Sequence, residues 1–199
     1  SICDRLYVHT PLDLNNLKNI NLETNVSLFP HGIIDYEKIN ENIKNQYNIN
    51  LKKMDSKHYN ISTFGFCLPN KGFPELIKAI NILRNKEIDV RLTMYIALYN
   101  SEISLNLLAE LQSLVSKLNL SKLVKIDYKF SSDEKTLENL SRSDLLVFPY
   151  QKTNESSSAA VRQGIASLTP VLVSPLPIFE DVSDVVEKLP GITPEFKRI

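Results

Sequence analysis

From Asn60 onward, short runs rich in β-branched and aromatic residues alternate with longer stretches in which apolar residues recur every three or four positions. That alternation leaves few folds open. Strands joined through helices pair in parallel, because a crossover, unlike a hairpin, returns the chain to the same end of the sheet. The class expected is α/β, a parallel sheet flanked by helices. Helical stripes are expected over 73–85, carrying Leu76, Ile77, Ile80 and Leu83, and over 105–118, carrying Leu107, Leu108, Leu111, Leu114, Val115 and Leu118. Strands are expected over 60–66, 90–98, 124–130, 145–150 and 170–174, with further helices near 134–140 and over 155–168. The proline-bearing stretch 175–199 lacks a long periodic pattern and reads as mostly loop.

The chain before Asn60 is organised differently. Residues 5–10 (RLYVHT) read as a strand, 11–19 as a helix, 26–30 (VSLFP) as a strand, 37–47 as a helix and 52–59 as a polar connection. Residues 1–30 thus make a βαβ-like unit that starts in mid-pattern, whereas the series from Asn60 is a nearly complete sheet. The expectation is a fragment: 1–30 as the last portion of a preceding domain or its linker, and 31–199 as the second domain. By the usual length prior the remainder would be about another 150 residues.

With 199 residues, 43% of them hydrophobic, the chain can bury an ordinary core. Its 23 basic and 23 acidic side chains cancel without long like-charge runs, which argues against holding nucleic acid or an anionic membrane through net charge. Cys3 and Cys67 have no metal-ligand spacing and read as buried thiols of a reducing compartment. His9, His31 and His58 are scattered and no Asp-x-Asp pair occurs, so no metal site is expected. No apolar run approaches the roughly 18 residues that span a bilayer, and no signal-peptide order opens the chain, so the expected location is the cytoplasm.

In an open parallel sheet, ligands lie beyond the carboxyl ends of strands, where turns expose backbone N–H groups and helices begin. Two stretches have that form. In the first, Phe64-Gly65-Phe66-Cys67-Leu68-Pro69-Asn70-Lys71-Gly72, Gly65 lets a ligand approach the backbone and Lys71 offers a point charge for phosphate. A plain strand-to-helix turn with a solvated lysine accounts for the same residues. In the second, a helix beginning near Glu155 would present the N–H groups of Glu155, Ser156, Ser157 and Ser158 to an anion. Ordinary capping by Thr153 or Asn154, worth roughly 0.5–2 kcal/mol, is the alternative. Taken together, the two loops suit a nucleoside diphosphate, with Glu155 turned to a neutral, hydroxyl-rich group such as a sugar.

These segments, in order, resemble the nucleotide-sugar-binding half of a family 4 (group 1) glycosyltransferase of the GT-B fold, over nearly the whole chain. Phe29-Pro30-His31-Gly32-Ile33 resembles the Pro-x-Gly entry into the donor domain, and 62–72 the Gly-rich strand end with its Lys-Gly. Residues 144–150 (DLLVFPY) and 166–174 (ASLTPVLVS) resemble the strands that flank the glutamate-bearing helix. The resemblance implies a Rossmann-like domain that binds a nucleoside-diphosphate sugar as substrate, uses no cofactor or metal, and transfers the sugar with retention to an acceptor held by a missing N-terminal domain. Membrane contact, if any, would belong to that domain, and polysaccharide biosynthesis would be a fitting setting. By position, Lys71 and the N–H groups after Glu155 would meet the leaving diphosphate, Glu155 the donor sugar, and Phe130 and Ser131 the base. Two positions depart from the pattern. Gln163 stands where the Glu-x7-Glu motif has its second glutamate for the ribose hydroxyls, and Phe66 stands where many members have an arginine. The amide forfeits roughly 1 kcal/mol of charge-assisted hydrogen bonding. A non-catalytic interaction module and a nucleotide-sugar epimerase are the other classes compatible with these residues.

Overall fold

The computed structural model describes residues 3–22, 24–34, 58–99, 102–153 and 155–191. The helix expected over 37–47 and nearly all of the connection over 52–59 lie outside the described residues. The N-terminal unit is small: β1 (Leu6–Val8) and β2 (Val26–Leu28) pair in parallel across α1 (Pro11–Lys18). Thr10 caps α1, its hydroxyl accepting from the Asp13 N–H, and Pro11 opens the first turn, where its missing donor costs nothing.

The main body is one sheet of six parallel strands. These are β3 (Tyr59–Phe66), β4 (Val90–Ala97), β5 (Val124–Asp127), β6 (Leu145–Phe148), β7 (Val171–Val173) and β8 (Glu187–Lys188). They lie in the order β5-β4-β3-β6-β7-β8, every neighbouring pair parallel. The crossovers are α2 (Phe73–Asn85), α3 (Glu102–Lys117), α4 (Asp133–Leu140) and α5 (Ala159–Ala166), followed by a 3-10 turn at Pro177–Val182. The last two elements interrupt a stretch expected to be mostly loop; β8 is only two residues long, too short for any periodicity to show.

Burial follows the two periods. On β4, Val90, Leu92, Met94 and Ile96 point into a core shared with Leu76, Ile77 and Ile80 of α2 and Leu107, Leu108, Leu111 and Val115 of α3. Tyr95, one residue out of phase, packs on the opposite face with Phe148, Tyr150, Val161 and Phe179. Gly164 of α5 lies against Phe148 and Leu146, so close that an added Cβ would sit 3.1 Å from the phenyl ring.

Counting from β3, the strand order is 3-2-1-4-5-6, so the chain winds outward from β3 in one direction and then returns to wind outward from β6 in the other. The reversal point between β3 and β6 is where such sheets hold ligands. Here it opens physically. β3 pairs with β4 along its whole length to Phe66↔Ala97, but with β6 only at Ile61↔Leu145 and Ser62↔Leu146. Beyond Ser62 the two strands part, which leaves a crevice walled by Phe64 and Gly65.

The thiols differ from expectation at one position. Cys67 is fully buried at the end of β3, and burial pushes its pKa up to about 11, whereas Cys3 is exposed. A neutral thiol without solvent access is inert. A thiol reagent at neutral pH is therefore expected to modify about one equivalent in the native chain, the second reacting only on unfolding. Rapid native labelling of Cys67, read by mass spectrometry, would contradict this burial.

Candidate functional site

The loop after β3 is held down by its own backbone. Asn70 and Gly72 both adopt positive φ, 66° and 75°, and the Asn70 carbonyl accepts from the Gln151 N–H at 2.8 Å. Gly72 lies flat against the Pro149 carbonyl, where a Cβ would collide. This docking carries Lys71 across the crevice to the end of β6. Its ammonium lies 4.1 Å from the centre of the Tyr150 ring and donates to both oxygens of Glu155, at 3.0 and 2.8 Å. The Lys71 side chain is 11% exposed and that of Glu155 48%, so the pair sits at the mouth of the crevice, with the lysine as its inner member.

Tyr150 joins this pair to α5. Its ring supports Lys71 through the negative face of the π system, and its hydroxyl lies 3.1 Å from Ser158 Oγ. Ser158 is the cap of α5, accepting from the Val161 N–H. This corrects the expected helix start. The helix begins at Ala159, not Glu155, and its cap is not Thr153, which instead accepts from the Glu155 N–H at 3.0 Å; Asn154 lies outside the described residues. Ser156 and Ser157 form the bend before the cap and do not line the cavity, so the amides at the helix mouth are those of Ala159 and Ala160. Serine side chains compete with helical backbone for hydrogen bonds, which favours the cap over the first turn. The signal was present: Ala159 and Ala160 are the first strong helix formers after the serines.

Arg162, 4% exposed, fixes α5 from behind. It donates to the His31 carbonyl at 3.0 Å and the Ser158 carbonyl at 3.1 Å, and its other arm pairs with Asp181. A buried guanidinium needs all of these partners. Its bond to His31 ties the segment after β2 to the helix that faces the crevice.

The crevice holds a cavity of about 310 Å³ that brings together Gly65, Phe66, Lys71, Phe130, Ser131, Glu155, Ser158 and Gln163. Of the residues singled out from the sequence, Ser156 and Ser157 stay outside it. Phe130 is 82% exposed at the mouth, while Phe66 stacks edge-on against Tyr99 with centroids 5.7 Å apart. Lys71 and Glu155 also line a second cavity of about 360 Å³, so their ion pair is a wall between the two. Tyr95, Asp133, Thr136, Asn139 and Tyr150 line the first cavity and escaped sequence reasoning. Asp133, Thr136 and Asn139 recur every third position along α4, a polar stripe that could have flagged a helix facing a polar cavity. Burial, followed by the nearby Asp127 carboxylate, raises the Tyr95 pKa, so its phenol stays protonated. Among the described residues no group of three metal-ligating side chains converges, and no helix is long and apolar enough to cross a membrane.

The doubly wound sheet of six parallel strands is the fold of one half of the two-domain GT-B architecture, as the solved structures of similar fold show. Among solved structures, the chain is similar to a glycosyltransferase from Rickettsia africae, with 15% identity, 96% of this chain and 50% of that one covered, and a TM-score of 0.71. It is also similar to Anabaena HepE solved with UDP and glucose, with 11% identity, 90% and 46% coverage and a TM-score of 0.69. A UDP-forming trehalose-phosphate synthase from Burkholderia xenovorans, solved with glucose-6-phosphate, matches at 11% identity, 92% and 49% coverage and a TM-score of 0.70. The chain thus spans about half the length of the solved structures it matches. No protein-family model and no curated protein sequence matches it.

Proposed function

We propose that residues 31–199 are the donor-binding domain of a retaining, hexosyl-type glycosyltransferase, and that residues 1–30 are the end of an acceptor domain supplied by chain outside this sequence. The observation that carries the proposal is the convergence of Lys71, Glu155 and the start of α5 on one cavity at the sheet's reversal point. HepE, a protein of similar fold, was solved with UDP and with UDP-glucose, which supports a nucleotide-sugar donor here.

In this reading the diphosphate lies at the mouth of α5, taking hydrogen bonds from the Ala159 and Ala160 amides and from the Lys71 ammonium. As the bond to the sugar breaks, negative charge grows on the leaving oxygen, and these fixed donors stabilise it more than they stabilise the bound donor. No metal or cofactor is assigned. The sugar extends past the ion pair toward the second cavity, where Glu155 accepts from its hydroxyls. The nucleoside runs the other way, with Phe130 and Ser131 against the base. The Lys71–Glu155 bond must open for this, since a carboxylate beside phosphate is repulsive.

Calorimetric titration with uridine, adenosine and guanosine diphosphates is the test. At least one is expected to bind in the micromolar to millimolar range. Glu155→Gln should bind that diphosphate several-fold more tightly, because the lysine is released and a like charge removed, while gaining less for the sugar-bearing donor. Failure of all three to bind removes the donor-site reading and favours a non-catalytic module, for which the Phe66 and Gln163 replacements would be the reason. The isolated chain is expected to show no transfer; epimerisation of the donor without acceptor would move the assignment to an epimerase.

A further inference from the structure

The sequence pattern assigns hydroxyl recognition to Gln163, but the geometry gives that residue a different task. Gln163 Nε2 donates to Asp133 Oδ1 at 2.8 Å. A carboxylate only accepts, so the amide orientation is settled: its nitrogen faces Asp133 and its oxygen must turn the other way. Gln163 Oε1 is accordingly buried without a hydrogen-bond partner. An acceptor with no solvent contact is out of reach of a ligand, and leaving it unsatisfied is unfavourable. Asp133 is the opposite case. It is exposed, it lines the cavity, and among the described residues its Oδ2 has no partner.

We infer that Asp133 is the hydroxyl-binding residue of this cavity, and that Gln163 is a positioning residue which aims the Asp133 carboxylate at the vicinal diol of a nucleoside. Asp133 stands in the first turn of α4, where the helix dipole favours a carboxylate and Ser132 provides the cap. Location selects the diol of the nucleoside over the transferred sugar. Gln163 lies five residues beyond the Ser158 cap, about 7.5 Å along α5 at the usual helical rise. Glu155 lies before the cap, so a diphosphate held at the cap has its sugar toward Glu155 and its ribose toward Asp133. The inference rests on the donor-site reading above.

The experiment compares the full chain's affinity for uridine, adenosine and guanosine diphosphates with that for each analogue lacking both ribose hydroxyls. The wild type should prefer the intact nucleotide by about tenfold, the worth of a charge-assisted hydrogen bond. Asp133→Ala should lose that preference by weakening the intact nucleotide alone, leaving the analogue within about twofold; a merely structural role would weaken both. Gln163→Ala should erode the same preference partway. Gln163→Glu is the sharpest variant: beside Asp133 it places like charges in contact, so binding of the intact nucleotide should weaken. If Gln163 met the ligand itself, the new carboxylate would tighten binding, and that result would overturn the inference. Equal affinity of the wild type for both nucleotides, or an unchanged preference in Asp133→Ala, would overturn it while the donor site stands. Absence of any nucleotide binding would overturn both.

Discussion

Lys71→Ala is expected to weaken nucleoside-diphosphate binding by about ten- to a hundred-fold with a modest loss of thermal stability. The size follows from what the ammonium supplies. A hydrogen bond to a charged group contributes about 1.5–3 kcal/mol, and each 1.4 kcal/mol is tenfold in affinity. Lys71 also packs on the Tyr150 ring, a contact worth about 0.5–2 kcal/mol. Its partner Glu155 is half-exposed, so water and salt screen the pair, and exposed pairs contribute about 0–1 kcal/mol to folding. The variant also strands Glu155 next to the phosphates, and the double variant with Glu155→Gln should recover part of the loss. Calorimetry supplies the affinities and scanning calorimetry the stability. Unaltered affinity in Lys71→Ala would remove the lysine from the site.

Of the changes to alanine at Gly32, Gly65, Gly72 and Gly164, that at Gly72 should be the most damaging. The residue sits at φ 75°, which costs an L side chain roughly 1–2 kcal/mol, and the added Cβ runs into the Pro149 carbonyl. Neither obstacle is a flexible side-chain tip; one is the residue's own backbone angle and the other is a strand end, so the loop must lift. Together they amount to about 3 kcal/mol or more, a fall in Tm of about 6–12 °C for a chain of this size. Lifting the loop would also break the 2.8 Å bond from Gln151 to Asn70 and draw Lys71 off Tyr150, so affinity should fall with stability. Gly65→Ala is the comparison. Its φ of 140° is also strained, but the nearest atom to its Cβ is Ala160 Cβ at an ordinary 3.5 Å, so the loss should be smaller. A Gly72→Ala variant as stable as wild type would mean that the loop does not lie on Pro149.

How far the residues alone reach can be judged at particular elements. The bounds of α2 agree with the expected 73–85, because Pro74 in the first turn and the apolar stripe Leu76, Ile77, Ile80 act within one helix. Strands β3 and β4 agree to within a residue, since a run of alternating apolar residues is a local signal too. The start of α5 does not. Any of the three serines can cap a helix, and the one that does lies 3.1 Å from the Tyr150 hydroxyl, just past the end of β6. The Asp133–Gln163 bond spans thirty positions and two helices, and nothing periodic in the sequence connects them.

What the amino-acid order determined by itself was the class of fold, the place of most strands and helices, and the two loops whose Lys71 and Glu155 line the cavity. Those follow from short-range propensity and from hydrophobic period, which each segment carries without its neighbours. Tertiary structure alone decided that Lys71 rests on Tyr150 and that Asp133 places a second exposed carboxylate beside the cavity. The reason is that hydrogen bonds and ion pairs act over about 3 Å, and only the winding of β3 and β6 away from one another brings residues so distant in sequence within that range.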